Sequence, residues 1–382
     1  MKYYLIAGEP SGDLHGANLI GGLRNADPAA EFRFWGGDRM AEAGGRVNLR
    51  KHYRETSFFG IVQVLRNLRT IKRQMRECQA DVAAFAPDVL ILVDYPGFNM
   101  KMARWAKEHG IRTFYYIAPK VWAWREWRVK AIRRYVDRLF IIFPFECEYF
   151  RRKGIEPIFE GNPLVDALEA RRETLPTAEE FRRRHGLDER PIVALVAGSR
   201  RGEIRDNLPL MARLSERFPG HQFVVTAVPW LERSLYEQYM AGSGLRYVCD
   251  KTYETLHVAE AAVVTSGTAT LETALLGIPE VVVYRTLWFQ VKLQPYVLKV
   301  PWVSLVNLNL GREAVTEIIQ SDLSVDRAER ELRAIVAGGA KRGRMLADFD
   351  ELRTVIGGPG ASERFARRMV EELSNEKLKM KN

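Results

Sequence analysis

VVTSGTATLE, at residues 263–272, is the stretch that decides the fold. Its first residues continue an apolar run that predicts a buried strand, and Leu271, Ala274 and Leu275 then recur at helical spacing. A short turn of small hydroxylated residues joins the two. A strand that enters a helix through such a turn is the repeating unit of a parallel sheet, so the stretch predicts an α/β fold.

The turn also predicts an anion site. The first N–H groups of a helix have no partners within it, and the helix dipole is positive there, so a phosphate can bind. Ser266, Thr268 and Thr270, beside Gly267, add hydroxyl donors. Glu272 follows about one helical turn later, where a carboxylate can accept hydrogen bonds from a ribose. The alternative is an ordinary helix that its Ser and Thr residues merely cap, and spacing alone does not decide.

The same unit recurs in both halves of the chain. The apolar segment at residues 2–7 runs into GEPSGD and a helix, and the segment at 192–197 runs into GSRRGE and a helix. Residues 169–176 are charged and lack apolar rhythm, which is typical of a linker. We therefore predict two doubly wound Rossmann-like sheets that face each other across a cleft. The predicted segments are an N-terminal domain (1–168), a C-terminal domain (169–356), and a last helix with a basic tail that can pack back on the N-terminal domain (357–382).

Length and composition favour a well-packed protein of more than one domain. The chain has 382 residues, 47% of them hydrophobic, with three scattered cysteines and a net charge of +10. No apolar run reaches the roughly 18–20 residues of a spanning helix, and no signal peptide precedes the first strand, so we expect a cytoplasmic chain. The cysteine spacing fits neither a disulfide framework nor a zinc site. The positive charge suits nucleic acid, an anionic membrane or anionic substrates. It is spread over many helices without a nucleic-acid motif, which disfavours the first.

The turn after the first strand carries polar candidates. Glu9, Asp13 and His15, with Ser11, lie where a sugar or a hydroxyl acceptor binds in a parallel sheet. The turn is not a dinucleotide fingerprint, because it lacks the G-x-G-x-x-G spacing and its carboxylates would repel a pyrophosphate.

Asp94 is the first candidate for a general base. It ends an almost wholly apolar strand, which predicts burial on both faces, and a Pro-Gly turn follows it. An ionisable group at this place lies at the carboxyl edge of the sheet. The alternative is that Asp94 caps a helix beginning near Asn99.

Two further loops carry aromatic or basic groups. PKVWAWR, at residues 119–125, can use Trp122 and Arg125 to contact a ring, an acyl chain or a phosphate, or can simply pack. In GSRRGEI, Arg200 lies beside a predicted helix start, and an Arg fork matches phosphate oxygens well.

Residues 58–76 combine an apolar face with basic charge, which suits a helix at a membrane interface. The alternative is a core helix whose outer face is basic. The candidate membrane contacts are Ile61, Val62, Val64, Leu65, Leu68, Arg69, Lys72 and Arg73.

Seven segments together carry a resemblance over almost the whole chain. They are AGEPSGDLHGA (7–17), FFGIVQVL (58–65), VDYPGFN (93–99), PKVWAWR (119–125), GSRRGEI (198–204), SGTATLE (266–272) and NLNLGRE (307–313). In this order they resemble the lipid-A-disaccharide synthase family. Two positions depart from the family pattern: Gly97 replaces a common acidic residue, and Pro10 a small one.

The resemblance implies a GT-B glycosyltransferase. Such an enzyme transfers a diacylated glucosamine from UDP to diacylglucosamine 1-phosphate, forming a β(1→6) disaccharide and UDP. The implied reaction is inverting and needs no metal or cofactor, since the UDP-sugar is a substrate. Asp94 is then the base, with Glu9 and His15 as rivals. The C-terminal domain would take the donor, and the N-terminal domain the acceptor and the membrane.

The implied sites extend the candidates above. Asn307 and Arg312 join the donor side by resemblance alone. The implied UDP-binding residues are Ser199, Arg200, Glu203, Ser266, Gly267, Thr268, Glu272, Asn307 and Arg312, and the implied acceptor-side residues are Ser11, Asp13, Asn99, Trp122 and Arg125. The implied location is the inner face of the cytoplasmic membrane. A homodimer is the alternative to a monomer. The rival functions are a MurG-like transferase, a Kdo transferase and a UDP-sugar 2-epimerase, of which the epimerase has no need for residues 58–76.

Overall fold

The computed structural model describes residues 1–56, 67–122, 126–285 and 301–379. The chain divides into two compact units, Met1–Asp166 with Gly357–Asn382, and Ala167–Ile356. The expected linker at 169–176 is partly helical, because the helix Pro163–Arg172 continues through its first residues.

The N-terminal unit is built on a parallel sheet. In the described ranges its strands are β1 (Lys2–Ala7), β2 (Glu31–Gly36), β3 (Leu49–His52), β4 (Val89–Val93), β5 (Thr113–Tyr116), β6 (Arg138–Ile141) and β7 (Pro157–Phe159). Their order is β3-β2-β1-β4-β5-β6-β7. Ala7 pairs with Val93, and Val93 pairs with Tyr116. The loops after β1, β4 and β5 therefore leave the same edge of the sheet side by side.

Helices cover both faces of this sheet. In the described ranges they include α1 (Pro10–Ala26), α2 (Asp38–Gly44), α3 (Tyr53–Thr56), α4 (Leu68–Phe85), α5 (Pro96–Glu108), α6 (Arg128–Tyr135) and α7 (Pro144–Arg151), and the 3₁₀ turn Arg46–Asn48 follows α2. The next helix, α8 (Pro163–Arg172), begins in this unit and ends in the other. Alternate residues of β1 point to opposite faces. Tyr3 and Leu5 pack in one core with Leu19 of α1, whereas Tyr4 and Ile6 pack in the other.

The C-terminal unit repeats this architecture. Its described strands are β8 (Ile192–Val196), β9 (Gln222–Ala227), β10 (Arg246–Cys249), β11 (Ala261–Thr265), β12 (Glu280–Tyr284) and β13 (Thr316–Ile319), in the order β10-β9-β8-β11-β12-β13. Val196 pairs with Val264, so the turns after β8 and β11 share one edge. Its helices are α9 (Ala178–His185), α10 (Arg201–Ser215), α11 (Arg233–Met240), α12 (Thr252–His257), α13 (Thr268–Leu275), α14 (Leu305–Leu310), α15 (Val325–Arg333) and α16 (Arg342–Ile356), with a 3₁₀ turn at Gln320–Asp322.

The last helix, α17 (Ala361–Lys379), belongs to the N-terminal unit. Its Phe365 and Met369 lie in the same core as Leu19 and Leu23 of α1. Asp166 accepts hydrogen bonds from the first N–H groups of this helix, including Ser362 N at 2.8 Å. The chain thus returns to its first domain.

The predicted fold class is confirmed, since each unit is a parallel sheet wound by helices on both faces. Across the described part of the chain, no helix is both long enough and apolar enough to cross a membrane.

Candidate active site

Asp94 occupies a strained turn at the end of β4. Asp94 and Tyr95 both have left-handed backbones, with φ of 44° and 49°, a conformation that costs roughly 1–3 kcal/mol for a non-glycine residue. Helix α5 begins directly afterwards at Pro96, whose fixed φ suits a first helical position. The residue at the helix cap is Tyr95, so the alternative that Asp94 caps a helix near Asn99 is wrong.

Hydrogen bonds from the neighbouring strand and helix hold this turn. Asp94 N donates to the Tyr116 carbonyl at 3.0 Å. The Asp94 carbonyl accepts from the Tyr115 hydroxyl at 2.7 Å and from Asn99 Nδ2 at 2.8 Å. The backbone of Asp94 is therefore fixed from both sides, and its carboxyl is set at the edge of the sheet.

The surroundings of Asp94 make it a stronger base than an ordinary aspartate. Burial, followed by the negative charge of Glu9, raises the pKa of Asp94 to about 6, against the opposing effect of Lys120. A carboxyl with this pKa is largely ionised at neutral pH and accepts a proton more readily than one with the usual value.

The turn after β1 packs directly against the turn that holds Asp94 and Tyr95. A Cβ on Gly8 would overlap the ring of Tyr95, so only glycine allows this approach. Glu9, the next residue, is the cap of α1 and lies close enough for its charge to act on Asp94. The two carboxylates that the sequence nominated separately are thus brought together.

His15 is the weaker rival. It lies on α1, and within the described residues its Nδ1 is buried without a hydrogen-bond partner. Burial lowers the pKa of His15 to about 4, an effect that the charge of Asp166 partly offsets. His15 is therefore neutral at pH 7 and a poorer proton acceptor than Asp94.

Asp13 and Asn99, both predicted on the acceptor side, serve the scaffold. The buried Asp13 carboxylate caps α2 by accepting from Gly37 N at 2.6 Å and Met40 N at 3.1 Å. Asn99 Nδ2, also buried, donates to the carbonyls at the ends of β1 and β4. These hydrogen bonds give both side chains a structural role, whereas Asn99 Oδ1 is buried without a partner among the described residues. Their contact with the acceptor stays a prediction. Ser11 is exposed in the first turn of α1.

Trp122 is a packing residue rather than an exposed platform. It is buried, meets Phe145 edge to face, and donates from Nε1 to Glu146 Oε1 at 2.9 Å. The alternative of simple packing is thus the correct one for Trp122. Arg125 lies outside the described residues.

In the C-terminal unit, α13 begins at Thr268 with no side-chain cap. Ser266 Oγ donates to the Val303 carbonyl at 2.7 Å, and Thr270 Oγ1 donates to the Gly267 carbonyl at 2.9 Å. Two of the three predicted hydroxyl donors are therefore engaged within the unit. Thr268 is exposed, and it starts a helix whose first N–H groups are capped by none of the described side chains. The capping alternative is wrong for these side chains.

Glu272 is half-buried on the same helix. Tyr253 donates its hydroxyl to Glu272 Oε1 at 2.7 Å, and the Arg171 guanidinium lies 4.6 Å from the centre of the Tyr253 ring. Burial raises the pKa of Glu272, while the Tyr253 hydrogen bond and Arg171 oppose this. The carboxylate is held in a fixed direction.

The start of α10, after β8, differs from that of α13 because the carboxylate of Glu203 caps it. Glu203 Oε2 accepts from Ser199 N at 2.9 Å and from Arg200 N at 3.3 Å, and Glu203 Oε1 is 3.0 Å from Arg200 Nη1. Gly198 has φ of 116°, and a Cβ there would meet the Glu203 side chain. Glu203 therefore caps α10, and a carboxylate there would repel a phosphate. Its contact with UDP stays a prediction.

Asn307 is likewise a scaffold residue. Its Nδ2 donates to the Val315 carbonyl and to Glu317, each at 2.9 Å, and its Oδ1 accepts from Ala314 N at 2.8 Å. The side chain is fully buried. These bonds hold the loop after α14, and the contact of Asn307 with the donor stays a prediction.

Arg312 is paired within its unit. Its guanidinium donates to Glu351 and to Asp348, the latter at 2.7 Å. Its positive charge is therefore paired within the unit, and its contact with the donor stays a prediction.

The described part of the predicted membrane segment is basic and exposed. Arg69, Lys72 and Arg73 lie on the open face of α4. Ile61, Val62, Val64 and Leu65 fall outside the described residues, as does the side chain of Leu68.

Sequence reasoning missed residues that act on the candidates. Lys120 and Glu146 belong to the surroundings of Asp94 and Trp122, and Tyr253 and Arg171 to those of Glu272. Lys120 lies within the quoted PKVWAWR motif, which is the sequence signal that could have identified it. Where side chains are described, no group of three His, Cys, Asp or Glu residues is placed to hold a metal ion.

Comparison with known proteins gives consistent sequence relatives and a broader set of structures. A family model described as Lipid-A-disaccharide synthetase matches residues 3–356. The chain is 37% identical to a lipid-A-disaccharide synthase of Geobacter sulfurreducens, over 98% of each chain, and 39% identical to one of Myxococcus xanthus, over 97% of each.

The similar solved structures show the fold alone. A UDP-GlcNAc 2-epimerase of Neisseria meningitidis bound to UDP-GlcNAc has a TM-score of 0.70 at 12% identity, covering 97% of this chain and 100% of that one. A ugt transferase of Siraitia grosvenorii in complex with UDP has a TM-score of 0.63 at 13% identity, covering 98% of this chain and 99% of that one.

Proposed function

The chain belongs to the lipid-A-disaccharide synthase family, and from this premise we propose that it joins UDP-2,3-diacylglucosamine to 2,3-diacylglucosamine 1-phosphate. The product is a β(1→6)-linked disaccharide, and UDP is released. The observation that carries the proposal is the Asp94 turn, which supplies a base of raised pKa in a chain of this family. The Neisseria meningitidis epimerase shares only the fold, at 12% identity, and does not favour the alternative function.

The proposed chemical step is a direct displacement. Asp94 takes the proton of the acceptor 6-hydroxyl as that oxygen bonds to the anomeric carbon of the donor. The bond between this carbon and the diphosphate oxygen breaks with its electron pair, and UDP leaves from the opposite side, so the configuration inverts. Glu9 raises the proton affinity of Asp94 by its charge and is a modulator in this scheme.

Charge on the departing diphosphate would be met by the start of α13. The exposed Thr268 hydroxyl and the N–H groups of this helix, which no carboxylate caps, support the assignment. Glu272 would hold the ribose hydroxyls, since Tyr253 already fixes the direction of its carboxylate. We propose that this arrangement works without a metal ion, which turnover in excess EDTA tests.

Both substrates carry acyl chains, so the enzyme must collect them at a membrane. The exposed Arg69, Lys72 and Arg73 support peripheral binding to the anionic inner face of the cytoplasmic membrane. Reversing all three to Glu is expected to weaken binding to phosphatidylglycerol vesicles at least tenfold, because each cation near such a surface contributes up to about 1 kcal/mol. Arg183→Glu with Arg184→Glu, exposed on α9, is the matched control. Equal loss in both variants would contradict a specific surface on α4.

Product analysis tests the function itself. Purified protein is incubated with both acylated substrates, with each one alone, and with UDP-GlcNAc alone. We expect UDP and disaccharide in equal amounts only when both are present. Epimerised UDP-GlcNAc without disaccharide would establish the alternative.

A further inference from the structure

The loop after β5 has one exposed side chain between buried ones. Residues 113–119, Val121 and Trp122 are buried, whereas Lys120 is exposed. The loop turns sharply, with φ of 64° at Ile117 and a hydrogen bond from Val121 N to the Pro119 carbonyl at 2.6 Å. The turn thus leaves the Lys120 side chain accessible while its neighbours are held inside the unit.

Glu146 anchors this loop from inside the unit. It lies in the first turn of α7, is 1% exposed, and accepts from Trp122 Nε1 at 2.9 Å and from Phe143 N at 3.2 Å. A buried carboxyl is stabilised only when its oxygens are hydrogen-bonded. Because the indole N–H satisfies one oxygen, Trp122 and Glu146 fix each other, and Lys120 lies two residues from this fixed point.

The loop lies beside the candidate base. β4 and β5 are neighbours, Val93 pairs with Tyr116, and Asp94 N bonds to the Tyr116 carbonyl. Lys120 follows Tyr116 by four residues on the same edge of the sheet. Its charge acts on both Asp94 and Glu146, favouring the ionised form of each.

We propose that Glu146, through its hydrogen bond with Trp122, is a positioning residue that presents the Lys120 ammonium to Asp94 and so keeps the base ionised. The inference rests on the proposed function, in which Asp94 removes the acceptor proton. Burial and Glu9 both oppose ionisation of Asp94, and Lys120 counters them. Without the anchor, the loop no longer holds its cation in place.

Several charged groups surround this pair, and the test must keep them constant. Glu9 and Lys120 face Asp94 from the loops after β1 and β5, and the Tyr115 hydroxyl bonds to the Asp94 carbonyl. Burial raises the pKa of Glu146 to about 7, with the Trp122 hydrogen bond and Lys120 opposing. Cys147 is the adjacent titratable group on α7.

The experiment follows the Asp94 carboxyl directly by ¹³C NMR, in protein labelled at the aspartate carboxyls and assigned with Asp94→Asn. Lys120→Met is expected to raise the titration midpoint by about one pH unit, because an opposite charge favours ionisation. Trp122→Phe is expected to raise it in the same direction, and the double variant no further than Lys120→Met alone, since both act through one cation. Trp127→Phe, at a tryptophan that is 68% exposed, is the control and leaves the midpoint unchanged.

Two results would overturn the proposal: Trp122→Phe with the wild-type midpoint, or additive shifts in the double variant. If Trp122→Phe does not fold, Glu146→Leu and Glu146→Gln decide instead. The Gln variant keeps an acceptor for the indole and should retain the wild-type midpoint, whereas the Leu variant should match Lys120→Met. Equal midpoints in the two would contradict the anchor.

The NMR titration needs no turnover, which separates this inference from the function. Wild-type protein that makes no disaccharide refutes the proposed function, and the NMR midpoints then still test the positioning role of Glu146. Disaccharide formation with immobile midpoints refutes the positioning role alone. In active protein, the acid limb of kcat/KM should move with the NMR midpoint in each variant.

Discussion

The carboxyl edges of the two sheets are built alike but offer opposite chemistry. After β4 the chain places a carboxyl, Asp94, in a strained turn beside Glu9, where burial and like charge raise its proton affinity. After β11 the chain places Thr268 and the N–H groups of a helix that no carboxylate caps. In our proposal the same strand, turn and helix make a proton acceptor in one unit and an anion site in the other. The residue types in the turn decide which.

A second contrast lies within the C-terminal unit. Helix α10 also starts after a strand, but Glu203 caps it and engages Arg200. Helix α13 has no such carboxylate. The sequence predicts phosphate contacts at both helix starts, and the lack of a side-chain cap on α13 among the described residues supports our proposal that α13 binds the phosphate.

The largest expected effect comes from removing the carboxyl that we propose as the base. Asp94→Asn should lower kcat about a thousandfold, the usual scale for loss of a general base, with little change in KM. Glu9→Gln and His15→Asn should each keep turnover within about tenfold, since they do not take the proton directly. Steady-state kinetics on folded variants measures this. Near-normal turnover in Asp94→Asn would move the role to Glu9 or His15.

The next effect compares the start of α13, which we propose binds the phosphate, with the start of α10, which Glu203 caps. Thr268→Asp places a negative charge at the start of α13 and should raise KM for the UDP-sugar on the order of a hundredfold. Ser199→Asp, at the start of α10, should change it less than about threefold, because Glu203 already fills that position. UDP binding by calorimetry gives the same comparison without turnover. Equal losses would remove the distinction between the two helices.

The pH dependence of turnover tests the raised pKa of Asp94. Since the pKa of Asp94 is raised to about 6 and the base acts ionised, kcat/KM should be level above that pH and fall below it. At pH 5 the loss should be about tenfold. An acid limb near pH 4, typical of an ordinary aspartate, would contradict the raised pKa.

The smallest effect concerns Glu272. Glu272→Gln keeps the shape but loses the charge that accepts from the ribose, so KM should rise about five- to tenfold at nearly constant kcat. Tyr253→Phe should produce a weaker change in the same direction, because it frees the carboxylate from its fixed direction. A fall in kcat with unchanged KM would assign Glu272 to another step.

The sequence predicted the fold and family well because both depend on local patterns. VVTSGTATLE and the apolar run before Asp94 gave strands and helices that the structure confirms. Asp94 itself could be nominated from its place at a strand end. Its raised pKa could not, because that depends on Glu9 and Lys120, which come from two other loops.

Several polar residues that the sequence assigns to ligands also hold the scaffold. Asp13, Asn99, Glu203 and Asn307 look like ligand contacts in a linear motif. In the fold each makes hydrogen bonds to backbone groups, and for Asp13 and Asn99 these include groups far away in the sequence, Gly37 N and the Ile6 carbonyl. Trp122 changed for the same reason, since its partner Glu146 lies on a separate helix. Motifs identify which residues matter, and only the tertiary partners show whether they face a ligand.

Linkage analysis of the product tests the central claim most directly. The purified chain is incubated with UDP-2,3-diacylglucosamine and 2,3-diacylglucosamine 1-phosphate in excess EDTA, and the products are identified by NMR. The account predicts one UDP for each disaccharide, a β(1→6) linkage, and no gain from added divalent metal. Folded protein that binds UDP but forms no disaccharide, or forms an α-linked one, would contradict it.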